Sequence, residues 1–287
     1  MVTARAAWGL DEDMPHLQRA LDDIGVVWEE VAWDDEAVEW SKFSLVVLRS
    51  AWDYHMRLDE FLAWVDRVDG CTTLANSKHI VRWNVDKHYL LEAVANGLPV
   101  VPTTFIESGA SDPVDVVREL LTHGDIVIKP AISAGSNDTE RHGSLTSAAD
   151  HLSALLDSGR SVMVQPYLND VDTHDETGLV YLAGQFSHAF AKGPLLAAAK
   201  DVAGDLFARE RIDPRTPSAA ERALGDAAVA WLSHKFGTPL YARIDLLPTV
   251  DGPVIIELEL TEPSLFLHTH PAAPSNAARA VAELSRR

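Results

Sequence analysis

The chain has 287 residues, 47% hydrophobic and 23% charged, the proportions of a globular protein with room for two or three packed lobes. Its 24 Lys and Arg against 43 Asp and Glu leave a formal charge of −19, which argues against a nucleic-acid backbone or an anionic membrane as partner. A single cysteine, Cys71, excludes an internal disulfide and a cysteine-built zinc cage, and fits a reducing compartment.

The opening "MVTARAAWGLDEDMP" lacks the apolar core of a secretion signal, and no apolar run reaches spanning length, so a soluble cytoplasmic protein is expected. The start is abrupt for a first strand. Strand and helix signals then alternate through residue 80: "MVTA", a helix over "MPHLQRALDDIG", "VVWEEVAW", the buried-type strand "SLVVLR", and a helix over "LDEFLAWVDRV". Such alternation predicts a small open α/β domain with mostly parallel strands. The loop "SAWDYH" leaves a strand at its carboxyl end, where such sheets bind ligands. Arg49, Trp52, Asp53 and Tyr54 therefore face a substrate or form a packing corner. Trp28, Trp33, Trp40 and Trp64 are assigned to the core of this domain, and Asp11, Asp22 and Asp23 to loop and helix surfaces.

From residue 81 the pattern changes. "NVDKHYLLEAVANGLPVVPTTFI" reads as a capped helix ended by Gly97 and then a strand, with Lys87 at the helix start, where the macrodipole disfavours a cation unless an anion is near. "VDVVRELLTHG" is a helix, and "DIVIKP" a strand ending at Lys129. The loop "AISAGSND" follows, where small residues such as Ser133, Gly135 and Ser136 let backbone N–H groups approach phosphate oxygens. The spacing is not that of a P-loop, and a plain loop is the alternative. "LTSAADHLSALLDSG" is helical. "SVMVQPYL" is a strand leaving through Gln165, Pro166, Tyr167 and Leu168, which offer backbone groups and a ring or aliphatic cover to a flat base, or simply end a strand. A hairpin is expected over "GLVYLAGQFSHAFAK", an irregular stretch over 193–217, and a helix over 218–236. Strands "LYARIDLLP" and "VIIELEL" joined at Asp251-Gly252 and a closing helix from about 274 complete the chain.

The last two strands carry the strongest chemical signal. Alternation puts Arg243 with Asp245, and Glu257 with Glu259, on common faces, and a hairpin would bring the three acids together. Carboxylates that close repel unless cations intervene, and hard oxygen ligands favour magnesium.

In this order the segments resemble the ATP-grasp superfamily, from about residue 81 to the end. The resemblance implies an N-terminal open α/β (pre-ATP-grasp) domain over 1–80, a central α+β lid over 81–168 and a C-terminal α+β domain over 169–287. It implies ATP and Mg2+ as cofactors. Lys87 and Lys129 would bind the phosphates, the small-residue loop would close over them, "QPYL" would hold adenine, and Asp172 or Glu176 the ribose. Arg243 would act in catalysis, and Asp245, Glu257 and Glu259 would hold metal. Glu259 stands where the family usually has Asn, which alters the charge at the metal. "VVLRSAWDYHMRLDEFLAWVD", "VRWNVDKHYLL" and "IELELTEPSLFL" look most like the bacterial group containing the cyclo-ligase of cycloserine biosynthesis. That implies a small amino-acid-like substrate, carboxylate activation by ATP and ring closure by the substrate's own nitrogen. An intermolecular amide ligase and a silent nucleotide-binding regulator are the alternatives.

His268 and His270 share a strand face but lack a third ligand, so pocket or surface roles are expected rather than zinc. Lys192 and Lys200 border the site or are solvated loop lysines. The Ala/Val/Leu face of the closing helix packs within its lobe or against a second subunit in a homodimer.

Overall fold

The structure, a computed structural model, describes residues 1–193 and 211–286. Its first sheet is parallel, in the order β2-β1-β3-β4, from β1 (Val2–Thr3), β2 (Val31–Ala32), β3 (Leu45–Ser50) and β4 (Thr73–Ala75). Helices α1 (Met14–Asp23) and α2 (Leu58–Asp69) form the crossovers. The expected strand over 26–33 shrinks to two residues because β2 is an edge strand that pairs only with β1. Trp33, Trp40, Phe61 and Trp64 pack in one buried aromatic cluster behind β3.

Two helices follow, α3 (Lys78–Asn84) and α4 (Tyr89–Ala95), and α4 ends before Gly97 at φ 79°. The sequence pattern predicted neither β4 nor α3; each is short. The apolar positions Ile80, Tyr89, Leu90 and Ala93 bury against the C-terminal lobe, and Val101 donates its N–H to Ile255 O at 3.0 Å. Within 81–101, expected in the central lid, Tyr89, Leu90, Ala93 and Leu98 therefore pack with the C-terminal core, while Val81 and Val85 join the N-terminal one.

The lid sheet is antiparallel, β5-β8-β6-β7, built from β5 (Thr104–Ile106), β6 (Ile126–Pro130), β7 (Glu140–His142) and β8 (Val162–Pro166). Helices α5 (Pro113–Leu121) and α6 (Leu145–Asp157) cover one face with Val117, Ala148, Leu152 and Leu155. After the short α7 (Val171–His174) comes the third sheet, β11-β10-β9-β12-β13. Its strands are β9 (Glu176–Leu182), β10 (Gln185–Lys192), β11 (Ile212–Arg215), β12 (Tyr241–Leu247) and β13 (Val254–Glu259). The strand β11 lies in the stretch read as irregular.

Helix α8 (Ala219–Phe236) starts with a capping box in which Ser218 N–H donates to Glu221 at 2.6 Å and Glu221 N–H donates to Ser218 Oγ at 3.2 Å. Gly225 lets it approach the sheet: a Cβ there would lie 2.5 Å from Leu179 Cδ1. The last helix, α9 (Ala273–Leu284), presses Ala277, Ala278 and Val281 onto Met14, Leu17 and Leu21 of α1. The apolar face that left a second subunit open is thus covered within the chain, by its other end. Among the described residues no helix is long and apolar enough to cross a membrane.

Candidate active site

A cavity of about 600 Å³ lies between the lid sheet and the C-terminal sheet, with the N-terminal domain closing one end. One end of its lining is apolar and flat-sided, with Val127, Tyr167, Leu168, Leu247 and Ile256, and strand β8 brings Gln165 and Pro166 to the same place. Gln165 is held by a 2.9 Å bond to Thr103 Oγ1, and Tyr167 N–H donates to Asp125 O at 2.8 Å. The Arg141 guanidinium lies 3.6 Å from the centre of the Tyr167 ring, fixing the ring from its far side.

Cations gather in the middle. Lys87 Nζ bridges two walls, bonding Ser133 O at 2.9 Å and Glu257 Oε1 at 3.1 Å. Lys129 lines the same space, is 8% exposed, and has no carboxylate within ion-pair distance among the described residues. Burial, with the charge of Lys87 against it, lowers the Lys129 pKa despite the pull of Glu257. Lys192, at the end of β10, reaches the cavity beside Glu176 at 3.4 Å, so it is a wall residue rather than a solvated loop lysine. Lys200 lies outside the described residues.

The floor is the β12–β13 pair, with Arg243 opposite Glu259 and Asp245 opposite Glu257. Arg243 holds Asp245 through Nε at 2.9 Å and Nη2 at 2.6 Å, bonds Glu259 with the same Nη2, and donates from Nη1 to Ser264 O at 2.9 Å. Burial pushes Glu257 up, but Lys87 and Lys129 outweigh it and hold the carboxyl down at about 2. Glu259 goes the other way. Burial raises it well above the carboxylate range against the opposing charge of Arg243, and Asp245 and Glu257 add to the rise. With Arg243 shared between Asp245 and Glu259 and Lys87 paired with Glu257, two fixed cations meet three acids, so the donor set suits a further hard cation. Glu257 and Glu259 face the cavity, whereas Asp245 is 1% exposed behind Arg243.

The end against the N-terminal domain is walled by Trp52, Tyr54, Glu262 and the acidic stretch Asp11, Glu12 and Asp13. Glu262 escaped sequence reading because it follows the alternating strand. Burial pushes its pKa up to about 8, with Lys87 opposing.

Of the predicted residues, Lys87, Lys129, Ser133, Gly135, Ser136, Gln165, Pro166, Tyr167, Leu168, Glu176, Arg243, Glu257, Glu259, Trp52 and Tyr54 meet around this cavity. Four do not line it. Arg49 is 1% exposed and turned to Asp11 (3.5 Å) and Asp13 (3.2 Å), because a buried guanidinium needs carboxylates more than solvent. Those two partners also correct Asp11 from a surface acid to a buried one. Asp53 accepts the Trp33 indole N–H at 2.8 Å and faces the domain core. Asp172 is occupied by the Tyr167 hydroxyl outside the cavity, leaving Glu176 as the acid inside; Asp245 is the fourth. His268 and His270 are exposed, and among the described residues no third ligand joins them.

The family described as "D-cycloserine synthetase DcsG, N-terminal domain" matches residues 1–76. The chain is 36% identical to the cycloserine biosynthesis protein DcsG of Streptomyces lavendulae, over 99% of this chain and 97% of that protein. Its structure resembles the crystal structure of D-cycloserine synthetase DcsG, with a TM-score of 0.90 and 35% identity, covering 99% of this chain and 98% of that one. It also resembles D-alanine–D-alanine ligase from Bacillus anthracis complexed with ATP, with a TM-score of 0.69 and 13% identity, covering 100% and 96%; that likeness speaks for the fold.

Proposed function

The chain belongs to the DcsG family, with the fold of ATP-grasp ligases, and on that premise we propose that it closes O-ureido-D-serine to D-cycloserine at the expense of ATP. The observation that carries the reading is the buried Lys129, which faces the cavity with no anion paired to it among the described residues. Triphosphate is the anion that suits it. Adenine fits the slot at Gln165–Leu168, and Glu176 takes the ribose hydroxyls.

A carboxylate is a poor electrophile, and accepting the γ-phosphoryl group of ATP gives it a leaving group. Such transfer needs positioning and charge neutralisation more than covalent help. Lys87 and Lys129 neutralise the phosphates from two walls, and Arg243, anchored on Asp245 and Ser264 O, steadies the acyl-phosphate oxygens. Glu257 and Glu259 would hold magnesium, which supplies charge screening at the phosphates. The substrate's aminooxy-type nitrogen then attacks the acyl carbon, phosphate leaves, and Glu262 takes the proton from that nitrogen. One water is consumed as the carbamoyl group departs as carbon dioxide and ammonia. Dependence on ATP and the reduced Cys71 support a cytoplasmic location.

The test is incubation with ATP, Mg2+ and O-ureido-D-serine while following ADP and ring product. One ADP per ring is expected. ADP formed only when a separate amine is added would instead indicate an intermolecular ligase, and ATP bound without turnover a regulator.

A further inference from the structure

The lid carries a second group of ligand-type side chains outside the ATP cavity. Strand β7 alternates, so Glu140 and His142 point to one face while Arg141 points to the other, over Tyr167. On the first face they meet His151 of α6. His142 Nε2 lies 3.0 Å from His151 Nδ1 and 3.8 Å from a Glu140 carboxylate oxygen, which is 4.0 Å from His151 Nδ1. An ion about 2.0–2.2 Å from three tetrahedral ligands requires them to be roughly 3.3–3.6 Å apart. The three separations bracket that range, so closing on an ion needs only small side-chain shifts.

The surroundings favour the ligand form. His142 is buried, and its other ring nitrogen lies 2.6 Å from Ser147 Oγ. A proton on Nδ1, donated to that hydroxyl, leaves Nε2 free to bind, the outer-sphere orientation that metal-bound histidines use. Burial lowers the pKa of both imidazoles, which keeps them neutral. The nearby Arg160 is engaged by Asp138.

We propose that Glu140, His142 and His151 bind a zinc-class ion that cross-links the edge strand β7 to α6, with water at the fourth position. Two imidazoles and one carboxylate suit zinc over magnesium. Glu140 directly follows Thr139, which lines the ATP cavity, so the ion would pin the exit of the loop over the phosphates without touching them.

The full chain, freed of metal by chelation, is titrated with Zn2+ against a chromogenic chelator, and Co2+ is added separately. One ion per chain and a tetrahedral Co2+ visible band are expected. His151→Ala should weaken Zn2+ binding about a hundredfold and abolish the band, and Glu140→Gln should weaken it about tenfold. Wild type should gain thermal midpoint with Zn2+, and His151→Ala should not. His151 is chosen because replacing the more buried His142 puts folding at risk. Glu257→Gln should leave Zn2+ affinity unchanged. Unaltered binding in His151→Ala, or loss only in Glu257→Gln, would place the ion on the cavity floor and overturn the proposal.

Discussion

Two loops leave strands that line the cavity, and they are held in opposite ways. The segment after β13 is fastened residue by residue. Asn84 takes Leu260 N–H at 2.8 Å and Tyr241 donates to Thr261 O at 2.9 Å; Trp52 donates to Glu262 O at 3.1 Å, and Arg243 to Ser264 O. His188 Nε2 lies 2.7 Å from Leu265 O, and Asp13 accepts from the N–H groups of Leu265, Phe266 and Leu267. The loop after β6 is tied at its start, where Ala131 N–H donates to Ser161 O at 2.9 Å and Lys87 Nζ to Ser133 O, but beyond Ser133 its backbone makes only local bonds, Asn137 to Ala134 and Thr139 to Ser136, and residues 135–138 are exposed. Few buried contacts mean a low cost of local opening. On the proposed function, the contrast pairs a fixed wall on the substrate side with a cover that lifts to admit nucleotide.

The sharpest way to break this contrast is at Lys129, on the strand leading into the cover. Lys129→Ala should cut ADP formation about 10²- to 10³-fold while urea unfolding is unchanged; full turnover would remove the phosphate assignment. Next is the fastening itself. Asp13→Asn leaves Arg49 with a weakened partner and should cost about 3 kcal/mol in urea denaturation, with substrate KM rising as well. An unchanged midpoint would show that the clamp is ornamental.

Glu262 adds a pH test to the fixed wall. With its pKa at about 8, the rate should climb through that pH as the base form appears, and Glu262→Gln should flatten the rise. The folded apo protein keeps a proton that the unfolded chain has lost above the ordinary carboxyl range. Stability therefore falls as pH rises from about 4.5 to about 8, and the Gln variant should lose less over that window. The smallest effect is expected in the cover. Gly135 has φ 60°, so Gly135→Ala should cost about 1 kcal/mol of local strain, slowing turnover severalfold with little change in global stability.

The contrast also marks what sequence could reveal. Arg243, Asp245, Glu257 and Glu259 were legible because strand alternation and one hairpin fix their register. Lys129 was legible as the end of an apolar strand. Lys87 and the adenine segment gained meaning only through family likeness, since each alone is an ordinary helix start or strand exit. The fastening was invisible. Asp13 and Arg49 look like a loop acid and a strand-end base until residues 252 to 254 positions away from Asp13 are folded onto it. Lys192 stood as either a border or a loop lysine because nothing local shows that the end of β10 meets Glu176 in the cavity, and Asp53 was misjudged because nothing local announces its bond to Trp33.

The bond from Asp13 to Leu265–Leu267 has a consequence for biogenesis. A chain emerging from the ribosome exposes the first lobe's acid and the helix α1 long before their partners exist, since Leu265–Leu267 and α9, which covers α1, lie about 250 residues later. The other lobes can gather around their own cores earlier, but the wall fastened by Asp13 is assembled only once residues 265–267 have been made. On the proposed function, a chain cut before Leu265 should lack its substrate pocket rather than be merely a little shorter.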